Sequence, residues 1–404
     1  MRSINFYFYR NIHLVKKLLL AFVFFISLSS SAQDSCGLRI SLLTCTPGQE
    51  LYSIFGHSAL RVFDSADNYD IVFNYGTFEF DDEFYGKFVK GKLLYFVSID
   101  TLPGFLKWYK DEKRGVTEQA VNLSCDQKHK LVDALFENAK EENKYYRYDF
   151  NYDNCTTRLR DIVEKAAGDL LDTKNILPKP NTTFRNLIHI YLDRGGQQWS
   201  KFGIDMLLGN PMDKVVTNRE AMFLPDYLLI AFDSSRLNGR VVVSEKKIIL
   251  DYFDDYKTKS VITPLLVFGI LFLLITALSI SKRDSWRPFF KVFDTLFFAI
   301  VGLLGILILF MWFGTDHAMC RTNFNLLWAL PTHFIVAFFL FGNRSWVKSY
   351  FRFIFFYTIA LLLAWFFLPQ QFNTALLPVM GIILVRSFYL SKSIATEARK
   401  NAEI

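Results

Sequence analysis

The sequence predicts an α+β exported domain followed by an all-α transmembrane domain of five helices. Three observations predict it. The N-terminus carries Arg2, Arg10, Lys16 and Lys17 ahead of the apolar run LLLAFVFFISL and the small residues SSSAQ. This is the layout of a secretory signal peptide over 1–32, with Ser30 and Ala32 fitting cleavage before Gln33. The next stretch, 33–168, alternates short β-like runs with turns and then turns helical. Beyond residue 260, five apolar runs each approach the roughly 20 residues a helix needs to cross about 30 Å of hydrocarbon.

Within the exported domain RISLLTC, SALRVF, YDIVFNY, KLLYFVSI and EQAVNLS are rich in β-branched and aromatic residues and bounded by Gly, Asp, Asn or Pro. These read as strands, mostly antiparallel because their connections are short. DQKHKLVDALFENAKEEN then places Leu131, Leu135 and Phe136 on one helical face. KYYRYDF reads as a strand leading into NYDNCTTRLRD, and TTRLRDIVEKAAGDLL continues at helical spacing with Leu159, Ile162, Val163 and Ala166. The segment 169–258 reads as a helical and loop extension. Core packing is expected for Trp199, Phe202, Met206 and Leu207, or a docking surface on the membrane or the catalytic domain.

The five apolar runs are Val261 to Ile280, Val292 to Phe313, Phe324 to Phe341, Phe353 to Leu368 and Thr374 to Leu390, within a membrane domain over 259–391. Loops that stay in the cytoplasm are enriched in Lys and Arg. SKRDSWRPFFK and GNRSWVKSYFR are basic, as is the tail 392–404, whereas GTDHAMCRTNFN and LPQQFN hold only Arg321. Signal peptide and loop charges therefore agree: the domain before residue 258 and the charge-poor loops face outward from a bacterial inner membrane, and the tail faces the cytoplasm. The net charge of +7 is spread along the chain and marks topology, not a nucleic-acid partner.

Five cysteines, at 36, 45, 125, 155 and 320, invite disulfides in an oxidising compartment, and their odd number leaves at least one thiol free. The pairing among the first four stays open, and Cys155 could be a structural partner in it. AQDSC lacks a lipoprotein cleavage box, so Cys36 does not read as a lipid anchor.

Cys155 sits where NYDN turns into a helix. Unpaired N–H groups and the dipole favour an anion there, so a thiol at that place tends toward thiolate. A thiolate used as a nucleophile needs a proton carrier, for which histidine suits neutral pH. Of the exported histidines, His57 in FGHSALRV opens a strand, whereas His129 reads as a solvated helix face and His189 as a packed ring. Asn74 or Tyr75 on the following strand could orient the imidazole. Asn151, Asp153 and Asn154 suit capping of the helix or donation to an oxyanion. Arg158 is a candidate contact for an anionic head group. In the outward loop Asp316, His317, Arg321, Asn323 and Asn325 form a second polar cluster that could bind a phospholipid head group. No Gly-rich phosphate loop and no zinc pattern appears, so neither cofactor nor metal is implied.

The order of GHSALRV, several strands and NCTTRLRD resembles a circularly permuted papain-like fold of the NlpC/P60 and LRAT kind. FGHSALRV, FNYGTFEF, YDFNYDNCTTRLRD, FLPDYL and TDHAMCRTNFNLLWALP together resemble the Lnb family of lipoprotein N-acyltransferases across nearly all of the mature chain. The resemblance implies Cys155 as nucleophile and His57 as its base. It also implies a membrane phospholipid as acyl donor, a thioester intermediate, and the N-terminal amine of diacylglyceryl-cysteine lipoproteins as acceptor. Two other classes compete: a cell-wall amidase or peptidase of the NlpC/P60 type, and a non-enzymatic membrane receptor or assembly factor.

Overall fold

The computed structural model describes residues 36–79, 81–252, 261–281, 283–342 and 344–392. The signal peptide expected over 1–32, its cleavage point, and the tail beyond Lys392 lie outside the described residues.

The chain forms β1 (Leu38–Cys45), β2 (His57–Asp64), β3 (Tyr69–Thr77), α1 (Phe84–Val89), β4 (Leu94–Thr101), α2 (Leu102–Asp111), β5 (Val116–Val121), α3 (Cys125–Ala139), β6 (Tyr145–Arg147) and α4 (Cys155–Ala167). Each strand run and both helical stretches read from the sequence are present. Helices α1 and α2 were not foreseen; α2 starts on a Thr101 cap with Pro103 in its first turn, the usual chemistry of a helix start.

All neighbouring strands pair antiparallel, and the sheet runs β6-β4-β3-β2-β1-β5. A seventh strand, Val243–Leu250, closes the edge beside β5. The extension 169–258, expected as helix and loop, therefore also completes the sheet. Its strand was hidden because VSEKKIIL is an exposed edge, where lysines guard unpaired backbone and blur the alternation.

Side chains alternate across the sheet. Leu38, Ile40, Leu42, Leu60, Val62, Phe73 and Tyr75 face one way, under Leu131, Leu135, Leu159 and Val163 of α3 and α4. Leu43, Cys45, Ala59 and Val72 face the other way, under Phe105 and Tyr109 of α2. Each large apolar side chain buried here contributes about 1.5–3 kcal/mol, and the first set fixes helix α4 against β2 and β3.

The extension also adds α5 (Phe184–Arg194), α6 (Gln198–Leu207) and α7 (Pro225–Ser234). The membrane domain contains α8 (Pro264–Ile280), α9 (Arg287–Phe313), α10 (Thr332–Ala337), α11 (Ser345–Ala364) and α12 (Leu376–Lys392). Among the described residues, two stretches are long and apolar enough to cross a membrane, Asp284–Phe313 and Ser345–Phe367, with Pro264–Ile280 a shorter apolar helix.

The run Phe324 to Phe341 is not one helix. It makes a 3-10 turn at Phe324–Leu327, breaks before Pro331, and yields only the six residues of α10, about 9 Å of helix. Proline and the tying of Asn323 and Asn325 described below explain the break. Helix α9 makes room for the broken segment: a Cβ on Gly302 would stand 2.1 Å from Phe334 N, and one on Gly305 1.9 Å from Ala329 O.

Helix α6 joins the two halves. Met206 is buried in the membrane-domain core with Phe298, Ile308 and Trp328, Trp199 Nε1 donates to Ile262 O at 2.9 Å, and the Phe202 and Phe268 rings meet at 5.3 Å. Core packing, expected for these residues, holds for Met206, with Phe202 packed against the same core, whereas Trp199 stays 45% exposed.

Candidate active site

Helix α4 begins where it does because of Asn154. In extended conformation, this residue accepts from Thr156 N and Thr157 N through Oδ1 at 2.9 and 2.8 Å. Its own N–H donates to Thr157 Oγ1 at 2.8 Å, closing a capping box. Its Nδ2 donates to Phe150 O and Phe223 O, both at 2.8 Å. A side chain so fully engaged has nothing left for substrate, so the substrate-binding role expected of Asn154 is replaced by capping. Arg158 N–H goes to Asn154 O. The N–H of Cys155, first residue of the helix, has no acceptor among the described residues and stands at the positive end of the helix dipole.

His57 opens β2, and the β2–β3 register pairs Leu60 with Phe73. Continued past its end, that register sets Asn74 opposite Ala59, on the face of His57 and one diagonal step away. Long side chains reach across such a diagonal, and His57 Nε2 donates to Asn74 Oδ1 at 2.6 Å. That bond fixes the tautomer and leaves Nδ1 free to accept a proton from Cys155, whose sulfur is near enough for its charge to act on the ring. Tyr75, the other possible orienter, faces away and accepts from Asn138 Nδ2 at 2.9 Å. Gly76 matters to the fit. It occupies φ +90 where the β3–β4 register shifts, and its Cα face touches the Cys155 Cβ, 3.6 Å from where a Cβ would stand.

Both partners are half-buried, and their titration is coupled. Burial raises the pKa of the Cys155 thiol, but the charge and hydrogen bond of His57, the Thr156 hydroxyl and the Ser58 N–H outweigh it, lowering the pKa from 9.0 to about 7. The Thr156 Oγ1 lies 3.6 Å from the sulfur. Burial alone would lower the His57 pKa; the neighbouring sulfur and then the Asn74 bond reverse this and raise it. Such a pair holds a thiolate beside an imidazolium near neutral pH. Ser58 and Thr156 were missed in the sequence, since each is only the chain neighbour of a more conspicuous residue. The other free thiol of this domain behaves oppositely: Cys45 lies in the core, where burial pushes it up to about 12.

Cys36 and Cys125 form a disulfide, with His129 Nε2 3.8 Å from the Cys36 sulfur on an exposed face. Cys155 is therefore not a disulfide partner.

Of the remaining expected head-group contacts, Arg321 is exposed and the others are engaged elsewhere. Arg158 donates to both Asp153 carboxylate oxygens at 2.6 and 2.9 Å and lies 3.6 Å over the Tyr146 ring. His317 Nε2 donates to Phe88 O at 3.0 Å and the Asp316 backbone N–H to Lys90 O at 2.9 Å, fastening the outer loop to α1, while the Asp316 carboxylate stands 3.7 Å from Arg147 Nη1. Asn323 Nδ2 donates to Met206 O at 2.8 Å and Leu207 O at 3.0 Å, and Asn325 Nδ2 to Asp205 O at 2.9 Å. These are the last carbonyls of α6, which no helix satisfies by itself; loop amides of the membrane domain terminate a helix of the other half. Next to them Arg185 bridges Asp205 and Asp213, both at 2.9 Å. His189, expected as a packed ring, bonds Asp205 Oδ1 at 2.8 Å, and Asn373 Nδ2 bonds Oδ2 at 2.9 Å.

A half-buried cysteine at a helix start, joined to a histidine that an asparagine holds, and fastened to apolar helices able to span a bilayer, defines a membrane protein with a candidate thiol site. Family models identify it further. Residues 30–189 match the Lnb N-terminal periplasmic domain, and residues 256–397 match the Lnb transmembrane domain. The chain belongs to the Lnb family and is a membrane protein with a periplasmic domain. No curated protein and no solved structure gives a significant match.

Proposed function

We propose that this protein is a lipoprotein N-acyltransferase of permuted papain-like architecture working through a thioester on Cys155. The observation that carries the reading is the Cys155–His57–Asn74 chain at the start of α4, with its lowered thiol pKa. The Cys155 thiolate attacks an ester carbonyl of a membrane phospholipid, and the Cys155 N–H with the helix dipole stabilises the oxyanion. As the C–O bond breaks, the His57 imidazolium returns its proton to the leaving alkoxide, releasing lysophospholipid. The α-amine of a diacylglyceryl-cysteine lipoprotein, whose ordinary pKa near ~8 leaves a neutral fraction, then attacks the thioester. His57 takes the amine proton, the C–S bond breaks, and an N-terminal amide forms. Asn74 keeps Nδ1 aimed at sulfur throughout. Holding enzyme, donor and acceptor in one membrane plane removes much of the entropic cost of encounter. The reaction runs on the periplasmic side of the inner membrane, and the basic loops and tail put the C-terminus in the cytoplasm.

Full-length protein in liposomes, given phospholipid and then a diacylated lipopeptide, tests this by mass spectrometry. An acyl group on Cys155 that moves to the lipopeptide amine is the expected result, lost in Cys155→Ala and His57→Ala. Cleaved muropeptides without acyl transfer would favour the cell-wall amidase instead.

A further inference from the structure

A row of aromatic rings runs from the outer end of the membrane domain toward Cys155. It starts on α1, FYGKFV, where Tyr85 is 76% and Phe88 51% exposed. Rings this open cost free energy in water, about 25 cal/mol per Å². The location of α1 says what covers them. Its Phe88 and the following Lys90 accept from His317 and Asp316 through their carbonyls. Those two residues lie just past Phe313, the last residue of the long apolar helix α9. Helix α1 is thus held at the level where α9 leaves the hydrocarbon, the zone that aromatic side chains with nearby lysines favour. Lys87, Lys90 and Lys92 supply the lysines.

From there the rings lead inward. Phe88 stacks on Phe84 with centroids 6.0 Å apart, and Phe84 on Phe78 at 5.6 Å. Phe78 meets Tyr95 at 5.3 Å, and Tyr95 stacks on Tyr148 at 4.3 Å. Tyr148 and Cys155 are both half-buried against the same core, and the sulfur is close enough for its charge, after burial, to raise the Tyr148 phenol pKa. Phe78, Tyr95 and Tyr148 all keep part of their surface open. Phe84 is the one ring of the row that is closed over, whereas a row meant only to fill the core would be closed throughout, as Phe73 and Tyr75 are on the neighbouring strand.

We propose that this row is the path of the donor's acyl chain, a lipid-binding lane from the outer leaflet to the thiol. It rests on the acyl-transfer reading and names where the phospholipid lies in that reaction. Apolar, sequence-tolerant ring faces suit a methylene chain, which offers no hydrogen bonds to recognise.

Photo-cross-linking tests the lane without turnover. Full-length protein is reconstituted with a phospholipid that carries a diazirine within one acyl chain, irradiated, and its peptides are mapped. Label on Phe78 and Tyr95, reduced about tenfold by Phe88→Asp through the penalty of a charge in an apolar path, is the expected result. Label confined to residues 264–392 overturns the lane. Label on Phe78 and Tyr95 in wild-type protein whose Cys155 never becomes acylated keeps the lane as a lipid site and removes the transfer reading. Acyl-Cys155 with label only on the membrane helices does the reverse.

Discussion

The coupling of Cys155 to His57 can be measured directly through the variant His57→Gln. In the wild type the thiol titrates at about 7. Removing the imidazole deletes the largest lowering influence and leaves burial, which raises it, opposed only by the Thr156 hydroxyl and the Ser58 N–H, so the midpoint climbs toward the ordinary 9.0. At pH 7 the thiolate fraction then falls roughly 50-fold, from about a half to about one in a hundred. A more basic thiolate is also a better nucleophile, by roughly eightfold over two pKa units, so alkylation at pH 7 drops only about sixfold. The midpoint of the pH profile is therefore the sharper readout than any single rate. Full-length protein is treated with iodoacetamide between pH 5 and 10, and the Cys155 peptide is quantified by mass spectrometry. Background is low, because Cys45 and Cys320 are buried and Cys36 is bonded to Cys125. A wild-type midpoint near 9, or one that His57→Gln leaves in place, would refute the ion-pair reasoning.

Two further outcomes concern stability. Arg185→Ala leaves Asp205 and Asp213 buried without their shared cation and should destabilise the joint between the halves by roughly 3–5 kcal/mol, seen as a lower melting temperature in detergent while the Cys155 alkylation midpoint stays at about 7. The double variant Cys36→Ser, Cys125→Ser opens a loop of sequence separation 89 and should cost about 2–4 kcal/mol; an unchanged chemical-denaturation midpoint would show that the bond contributes nothing.

Much of this architecture is legible in the sequence because it depends on local patterning. The strands announce themselves through β-branched runs between turns, and Cys155 through the capping residues ahead of it. His57 and Asn74 are also readable as a pair, since strand pairing puts residues of matching parity on one face. What stays hidden depends on tertiary partners. Val243–Leu250 carries the charges of an exposed edge and reads as a loop until β5 is beside it. The run Phe324 to Phe341 has the composition of a membrane helix, and nothing local reveals that Gly302 and Gly305 on another helix have made a seat for it. Asn323, His317 and Asp316 look like free polar groups at a membrane surface. The Asn323 and His317 side chains donate to backbone carbonyls, which leave no trace in a list of side chains, and the Asp316 carboxylate faces Arg147 from a distant part of the chain.

The amides of Asn323 and Asn325 finish α6, so the two halves share one structural element and are not simply beads on a string. Cutting the chain before the first membrane helix would strip α6 of its terminators and expose Met206 to water. The extension that completes the sheet of the thiol site is thus anchored, through α6, on the apolar helices.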